Sequence, residues 1–214
     1  MSNAAPAAIR DGVAGSLSSG LHHARRDHGA GYCTFNGLAL AALHAAADGR
    51  RVLILDLDAH CGGGTHSLVA GDPRIVQVDV STNGFDSYLP AGANTLDLIT
   101  VAGDYLPMVT RRLDEVTTAG FDLVLYNAGM DAHEHGGGGV PGIKHDVLRV
   151  RERLVFEWAA RLRIPIAFVL AGGYTSTRLD VDGLVGLHRL TIAAAAAAVR
   201  QDTAPGAWDP EAAR

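Results

Sequence analysis

Residues 52–60 read Val-Leu-Ile-Leu-Asp-Leu-Asp-Ala-His, and this stretch decides the predicted fold. Four consecutive aliphatic residues, Val52 to Leu55, predict a strand that is buried on both faces, as in a parallel sheet. Alternate side chains of an extended chain point the same way, so Asp56, Asp58 and His60 are expected to converge just past the strand end. Mixed carboxylate and imidazole ligands suit a catalytic Zn²⁺ ion with an open coordination position.

The rest of the chain alternates between short apolar runs and longer stretches with helical spacing. Strands are predicted at residues 13–21, 52–58, 74–80, 123–126 and 166–170. Helices are predicted at residues 36–47, 104–119, 144–161 and 180–200. Such alternation is typical of a parallel sheet covered by helices on both faces. We therefore predict one α/β domain at residues 13–200, a disordered segment at 1–12 and a flexible tail at 201–214.

Chemically active side chains follow three of the predicted strands. Asp58 and His60 come after one strand, Asp131 after another and Tyr174 after a third. Ligands of such sheets bind outside the carboxyl ends of the strands, so these side chains are expected to share one crevice. Asp131 is predicted to be the third metal ligand. Two carboxylates and one imidazole leave Zn²⁺ one or two open positions for water and a substrate carbonyl.

A histidine pair, His22-His23, gains a use beside such a metal. A neutral imidazole can take a proton from water at the metal and later return it to a leaving amine. Asp56 is predicted to orient one of the two rings and to raise its pKa. Tyr174 follows Gly172-Gly173, where a sharp turn aims the phenol into the crevice. A phenolic donor there would stabilise a tetrahedral oxyanion.

Composition excludes several classes of function. The 214-residue chain has a formal net charge of −5, and no basic patch indicates nucleic acid as a partner. Its two cysteines, Cys33 and Cys61, do not make a disulfide framework, which favours a reducing cytoplasm. The first ten residues lack the apolar core of a signal peptide. The longest apolar run, at 193–199, is too short to span a bilayer, so no membrane partner is expected.

Some further residues receive a simpler interpretation. His133 and His135 precede four glycines at 136–139 and are interpreted as part of a solvated loop rather than as ligands. Cys61 comes directly after a candidate ligand, and neighbouring side chains of an extended chain point apart, so we interpret it as a pocket wall. Residues 81–97 carry turn residues and are predicted to be a long loop, of the kind that often has a function.

Five motifs occur in a fixed order along the chain. They read Gly20-Leu21-His22-His23-Ala24, Gly31-Tyr32-Cys33-Thr34-Phe35-Asn36, Asp56-Leu57-Asp58-Ala59-His60, Asn127-Ala128-Gly129-Met130-Asp131 and Gly172-Gly173-Tyr174. In this order they resemble the histone deacetylase family, over a match from residue 20 to about residue 190. Details such as Tyr126-Asn127-Ala128-Gly129 resemble the class IV branch and its bacterial members. The resemblance implies a single-domain, three-layer arginase/deacetylase fold with a mainly parallel sheet.

The resemblance also implies a role for each site residue. It assigns one Zn²⁺ ion to three ligands: Asp58, His60 and Asp131. It makes His23 the general base and acid, and His22 with Asp56 an electrostatic partner. It makes Tyr174 the donor that stabilises the oxyanion. A structural monovalent cation is implied as well.

The same resemblance implies the kind of substrate. Gly31 and Tyr32 would line an acyl tunnel, and Gly172 and Gly173 would lie beside the substrate. The family cleaves amides such as N-acyl-lysine or acylpolyamines, and class IV members favour long fatty acyl groups. A small acylated metabolite or an acyl-lysine peptide is therefore the expected partner.

Three features depart from the family pattern. Members ordinarily carry a substantial segment before the histidine pair, so we expect a smaller sheet, a more open pocket and an edge that could pair in a homo-oligomer. Cys61 replaces the usual His or Gln. Gly63 stands where the family places an Asp or Asn that orients the second histidine. Without a substitute, His23 would lose its anchor, at a cost of about 10–100-fold.

Two alternatives to a zinc amidohydrolase remain. A ureohydrolase with two Mn²⁺ ions on a similar sheet needs a further carboxylate where this chain has Gly62, and more than one Asp around position 131. A catalytically weak or inactive acyl-lysine or metal-binding module is the non-enzyme alternative, and the reasons to consider it are Gly63 and the short segment before the histidine pair.

Overall fold

The structure is a computed structural model that describes residues 1–202. Its strands are β1 (Val13–Ser16), β2 (Val52–Asp56), β3 (Ile75–Ser81), β4 (Thr95–Leu98), β5 (Leu123–Gly129) and β6 (Ile166–Ala171). Its helices are α1 (Ala4–Asp11), α2 (Gly37–Ala47), α3 (Gly63–Val69), α4 (Ala102–Val116), α5 (His145–Leu162) and α6 (Val181–Asp202). The helix α6 extends into the first two residues of the predicted tail, and the rest of that tail lies outside the described residues.

The six strands form one sheet in the order β1-β6-β5-β2-β3-β4. Every neighbouring pair is parallel, so the predicted mainly parallel α/β sheet is confirmed. The strand β2 lies at the centre, with Asp56 opposite Asn127 of β5 and Asp79 of β3. All carboxyl ends therefore meet at one edge, where the loops after β1, β2, β5 and β6 converge.

Helices cover both faces of the sheet. On one face, Val52 and Ile54 of β2 pack with buried residues of α1, α2 and α3. On the other face, Leu53 and Leu55 belong to a larger cluster that includes residues of α4, α5 and α6. Both faces of β2 are buried because its residues are apolar without alternation. The result is the predicted three-layer arrangement.

The helices α1 and α3 differ from the sequence-based prediction. Residues 1–12 were expected to be disordered, but α1 spans Ala4–Asp11 and buries Ala4, Ala5 and Ala8. Alanine is only weakly hydrophobic, so the segment does not stand out in the sequence, yet its buried alanines pack in one cluster with residues of α2 and the sheet. The strand β2 ends before the three glycines at 62–64, and α3, which was not predicted from the sequence, begins at Gly63. A Cβ at any of these three glycines would lie too close to a neighbouring segment.

One helix among residues 1–202, α6, is long and apolar enough to cross a membrane by length and composition alone. Its window Val181–Val199 has a mean hydropathy of 1.2 and is 22% buried. The uninterrupted apolar run at 193–199 is too short to span a bilayer, but the 19-residue stretch around it is long enough. The helix packs on α5, and Leu187, Ala195 and Ala198 belong to the hydrophobic core. These buried side chains make α6 part of the domain's third layer.

A buried ion pair links α5 to Leu57, the residue that directly follows β2. Arg151 is fully buried, donates to the carbonyl of Leu57 at 3.1 Å and to the Tyr105 hydroxyl at 2.9 Å, and pairs with Glu152 at 2.7 Å. The Tyr126 hydroxyl donates to Glu152 at 2.6 Å. Each charge therefore has a partner in a place that water does not reach.

Replacing Arg151 with methionine will lower the free energy of unfolding by about 3–5 kcal/mol, because Glu152 stays buried without its partner. Arg153→Met is the matched control on the same helix, since Arg153 pairs with Glu157 at 3.7 Å on the surface. That loss should cost less than about 1 kcal/mol. Urea unfolding of both variants measures the difference, and equal midpoints would contradict the prediction.

Candidate active site

Three candidate metal ligands meet beyond the carboxyl ends of β2 and β5. Asp58 and His60 lie on the loop that leaves β2, and Asp131 lies just after β5. His60 Nδ1 is 3.2 Å from Asp58 Oδ1 and 3.0 Å from Asp131 Oδ2. One ligand atom from each residue can be chosen so that all lie within 4.8 Å of one another. The structure thus brings together the three residues that the sequence predicts as ligands.

The chemistry of this cluster fits a divalent cation. Asp58 and Asp131 are buried, and Asp131 Oδ2 accepts no well-aligned hydrogen bond within residues 1–202. The adjacent carboxylates of Asp131 and Asp58 raise the pKa of His60 to about 9, which favours a proton between the ring and the carboxylates when no cation is bound. A divalent ion would displace that proton and satisfy the buried oxygen.

His22 lies in the loop after β1, with its Nε2 3.6 Å from Asp58 Oδ1. Its Nδ1 donates to Asp56 Oδ2 at 2.8 Å, and Asp56 Oδ1 accepts from Asn127 Nδ2 at 2.8 Å. Burial lowers the pKa of His22, but the carboxylates of Asp56 and Asp58 outweigh it and raise that pKa well above its ordinary value. The two carboxylates therefore favour the charged form of this ring. The predicted pairing of Asp56 with one histidine ring is observed, and Asn127 is a partner without a predicted role.

His23 is placed between His22 and His60. Its ring centroid lies 4.0 Å from that of His22 and 6.0 Å from that of His60. Its Nδ1 lies 2.9 Å from Asp86 Oδ2. The condition under which His23 would lose its anchor is therefore not met, because another carboxylate replaces the one that position 63 lacks. That carboxylate belongs to Asp86, in the loop between β3 and β4. Asp86 lies within residues 81–97, which the sequence predicts to be a long loop of the kind that often has a function.

Tyr174 reaches the cluster from the end of β6. Gly172 turns the chain there with φ of +63°, and a Cβ at that position would overlap the carboxylate of Asp131. Only glycine allows this turn to come so close to a candidate ligand. The Tyr174 ring then lies 6.1 Å from the His60 ring at 79°, with the side chain 38% exposed. Its phenol borders the same space as His23.

A cleft of about 450 Å³ opens over these side chains. It is lined by residues that include His23, Gly31, Tyr32, His60, Phe85 and Tyr174. Tyr32 is 95% exposed, so it stands on the rim and does not enclose a tunnel as the family resemblance implied. Gly172 and Gly173 line a second cavity of about 400 Å³ that borders His22 and Asp58, and Gly31 and Tyr32 line this cavity as well. All four predicted substrate-binding residues therefore border the second cavity, and two of them also border the cleft.

Two interpretations from the sequence are wrong. Cys61 is not a pocket wall, since it is fully buried and its thiol donates to the carbonyl of Asn83 at 3.4 Å. Burial raises the pKa of the Cys61 thiol to about 12, which keeps it protonated at neutral pH. The loop at 136–139 is not simply solvated either. His133 is buried, and the Thr82 hydroxyl donates to the carbonyl of Gly138 at 2.9 Å.

Asp79 is a second buried carboxyl group next to Asp56. It accepts from the backbone N–H of Gly62 at 2.7 Å and contacts the Ser81 hydroxyl. Burial, and then the neighbouring charge of Asp56, raise the pKa of Asp79 well above its ordinary value. Because the folded state holds this proton after the unfolded state has released it, Asp79 lowers stability as pH rises above about 4.

Asp79→Asn will therefore stabilise the protein more at pH 8 than at pH 4.5, because asparagine has no proton to hold. Melting temperatures of the variant and the parent at the two pH values measure this. Asp122→Asn, at a carboxylate exposed on the surface, is the matched control and should show no such pH-dependent gain. A difference between Asp79→Asn and parent that is the same at both pH values would contradict the prediction.

The histone deacetylase domain model matches residues 2–183. This chain belongs to the histone deacetylase family. An uncharacterized protein of Picosynechococcus sp. is 32% identical to it over 195 residues, which cover 86% of this chain and 62% of that protein. Histone deacetylase 2 of Arabidopsis thaliana is 30% identical over 197 residues, which cover 87% of this chain and 51% of that protein. The chain thus spans little more than half the length of these relatives.

A solved structure shows the same fold. The crystal structure of acetylpolyamine aminohydrolase from Burkholderia pseudomallei superposes with a TM-score of 0.74 at 24% sequence identity. The match covers 92% of this histone deacetylase family chain and 60% of that chain. It confirms the predicted single-domain α/β architecture. The predicted likeness to the class IV branch stays a prediction.

Proposed function

We propose that this domain hydrolyses an N-acyl amide with the help of one Zn²⁺ ion. The observation that carries the proposal is the convergence of two buried carboxylates and an imidazole with a histidine pair and a tyrosine around one cleft. When bound at Asp58, His60 and Asp131, the metal would polarise the amide carbonyl and lower the pKa of a water molecule. Zn²⁺ is the ion that best suits three protein ligands of this type with open positions.

The side chains around the cleft divide the proton transfers between them. His23 takes the proton of the attacking water as general base, and returns a proton to the amine nitrogen as the C–N bond breaks. The Tyr174 hydroxyl donates to the oxyanion that forms on the carbonyl oxygen. His22, held in its charged form by Asp56, adds positive charge near the same oxygen. Water is thereby added across the amide, which yields a carboxylate and a free amine.

The cleft favours a substrate with an exposed, extended amine part. Its rim carries the aromatic rings of Tyr32 and Phe85, while the reactive groups lie at its base. An acyl-lysine peptide, an acylpolyamine or a small acylated metabolite would suit such an open site. A cytoplasmic location, the absence of nucleic-acid or membrane partners, a homo-oligomer and a structural monovalent cation remain proposals that rest on the sequence.

A substrate panel tests the proposal. Zinc-loaded protein and protein stripped with a chelator are each given acetyl-lysine peptides, longer acyl-lysine peptides and acetylpolyamines, and the free amine is measured. We expect amine release from at least one class, loss of release in stripped protein and its return on adding Zn²⁺. A zinc-loaded protein that is inert on all three would favour the alternative of a metal- or acyl-binding module.

The binuclear ureohydrolase alternative has less support. A Cβ at position 62 would lie 2.7 Å from Asp56 Oδ2 and from Gln77 Nε2, so this site has no room for the further carboxylate. Within residues 1–202, Asp58, His60 and Asp131 form the one compact ligand group. Mass spectrometry of the metal content separates the two alternatives, since we expect one ion per chain.

A further inference from the structure

The loop between β3 and β4 holds Asp86 in a rigid place beside His23. Asp86 Oδ2 lies 2.9 Å from His23 Nδ1 and accepts from the backbone N–H of Gly64 at 3.0 Å. Its other oxygen, Oδ1, accepts from the Arg25 guanidinium at 2.5 Å. The side chain is only 7% exposed. Both carboxylate oxygens are therefore engaged, and the ring of His23 has a fixed partner.

Position 63 and Asp86 compete for the same space. A Cβ on Gly63 would overlap the backbone carbonyl oxygen of Asp86 and would lie 2.6 Å from its Oδ1. Any side chain at position 63 would thus push the loop away from His23. Because Gly63 has no side chain, the carboxylate of Asp86 fits beside it, although the two residues are separated by more than twenty positions in the sequence.

The charge state of the neighbours assigns a direction to the contact. Burial raises the pKa of Asp86, but its hydrogen bonds with His23, Arg25 and the Gly64 N–H, together with the charge of Arg25, outweigh burial and hold that pKa below its ordinary value. The carboxylate is therefore ionised and can only accept. A neutral His23 must then donate its Nδ1–H to Asp86. Its Nε2 is left without a proton, and this is the nitrogen that a general base needs.

We propose that Asp86 is the positioning residue for His23, delivered by the β3–β4 loop through the space that Gly63 leaves open. It acts by holding the His23 ring and its Nδ1–H tautomer, and it touches no reacting atom itself. The inference rests on the proposed function, in which His23 is the general base. The adjacent Phe85 packs edge-on against the His23 ring, with centroids 5.0 Å apart, so one short loop both lines the cleft and orients the base.

Asp86→Gly is the direct test, because Asp86 has φ of +59° and glycine accepts that backbone conformation. We expect kcat to fall about 10–100-fold with KM and zinc content little changed, as is typical for loss of a residue that orients a histidine. Asp72→Gly is the control, since it removes a carboxylate that pairs with Arg74 at 2.8 Å on the surface. It should leave kcat unchanged.

A second pair of variants perturbs the contact while Asp86 stays in place. Gly63→Ala should displace the loop and lower kcat to a similar extent. Gly71→Ala is its control, because a Cβ at Gly71 meets nothing within 4 Å. A kcat for Asp86→Gly within threefold of that for Asp72→Gly, in an active parent protein, would overturn the inference.

Nitrogen-15 NMR of the histidine rings in zinc-loaded protein gives a readout that does not depend on turnover. The parent should show His23 with the proton on Nδ1, and Asp86→Gly should shift the proton toward Nε2, while the ring signals of His22, whose partner is Asp56, should not change. An unchanged His23 tautomer would overturn the inference. If the tautomer changes but the parent cleaves no amide, Asp86 still positions His23 and the proposed function fails instead.

Discussion

Asp131→Asn is expected to abolish binding of the proposed zinc ion. Asp131 is one of two carboxylates in the ligand cluster and is almost fully buried, so asparagine keeps its shape but removes a charge that Zn²⁺ requires. We expect zinc affinity to fall by more than about 100-fold, since loss of an outer-shell partner alone typically costs 10–100-fold. Amide hydrolysis should fall with it. Titration with a zinc indicator and metal analysis after dialysis measure the loss.

Asp182→Asn is the matched control for this prediction. Asp182 is an exposed carboxylate in the first turn of α6, and its replacement removes the same charge from the chain. Zinc affinity should not change in that variant. If Asp131→Asn retained one tightly bound ion per chain, the ligand set proposed here would be wrong.

Under the proposed mechanism, Tyr174→Phe is expected to slow turnover without loss of zinc. The variant keeps the ring that lies 6.1 Å from His60 and removes only the hydroxyl. Loss of one oxyanion donor typically lowers kcat by about 100–1000-fold. We therefore expect a decrease of that size in kcat, with zinc content equal to that of the parent. Steady-state kinetics on the best substrate of the panel, together with metal analysis, measure both quantities.

Tyr88→Phe is the control for the loss of a phenolic hydroxyl. Tyr88 donates to the carbonyl of Thr95 at 3.3 Å and stacks on His66, and it does not line the cleft. Its kcat should stay within a few-fold of the parent value. Hydrolysis at the parent rate by Tyr174→Phe would remove Tyr174 from the mechanism.

The sequence predicts the candidate site residues best where they come directly after a strand. The apolar run before Asp56 is a local pattern, and a parallel sheet places all carboxyl ends at one edge. Asp58, His60, Asp131 and Tyr174 could therefore be brought together before any coordinates were known. Their meeting requires only the strand positions and the direction of the chain, which are encoded within a few residues of each side chain.

The same reasoning fails where close packing, and not periodicity, shapes the chain. The segment of α1 is short and rich in weakly hydrophobic alanine, and α3 begins with two glycines, so the sequence predicts disorder for the first segment and no helix for the second. Both segments are helical because small residues fit into narrow gaps against neighbouring segments. Such gaps are created by the rest of the fold and leave no local signal.

The sequence by itself determined the fold class, the family and the three candidate ligands, because these depend on short patterns and on motif order. Only the tertiary structure decided how His23 is anchored. The carboxylate at its Nδ1 comes from Asp86, which lies 63 positions away in the chain. In the sequence, Gly63 indicates that the usual carboxylate is missing. In the structure, the absence of a side chain at Gly63 leaves room for Asp86. Contacts between residues so far apart depend on how the loops pack, and no local pattern specifies that.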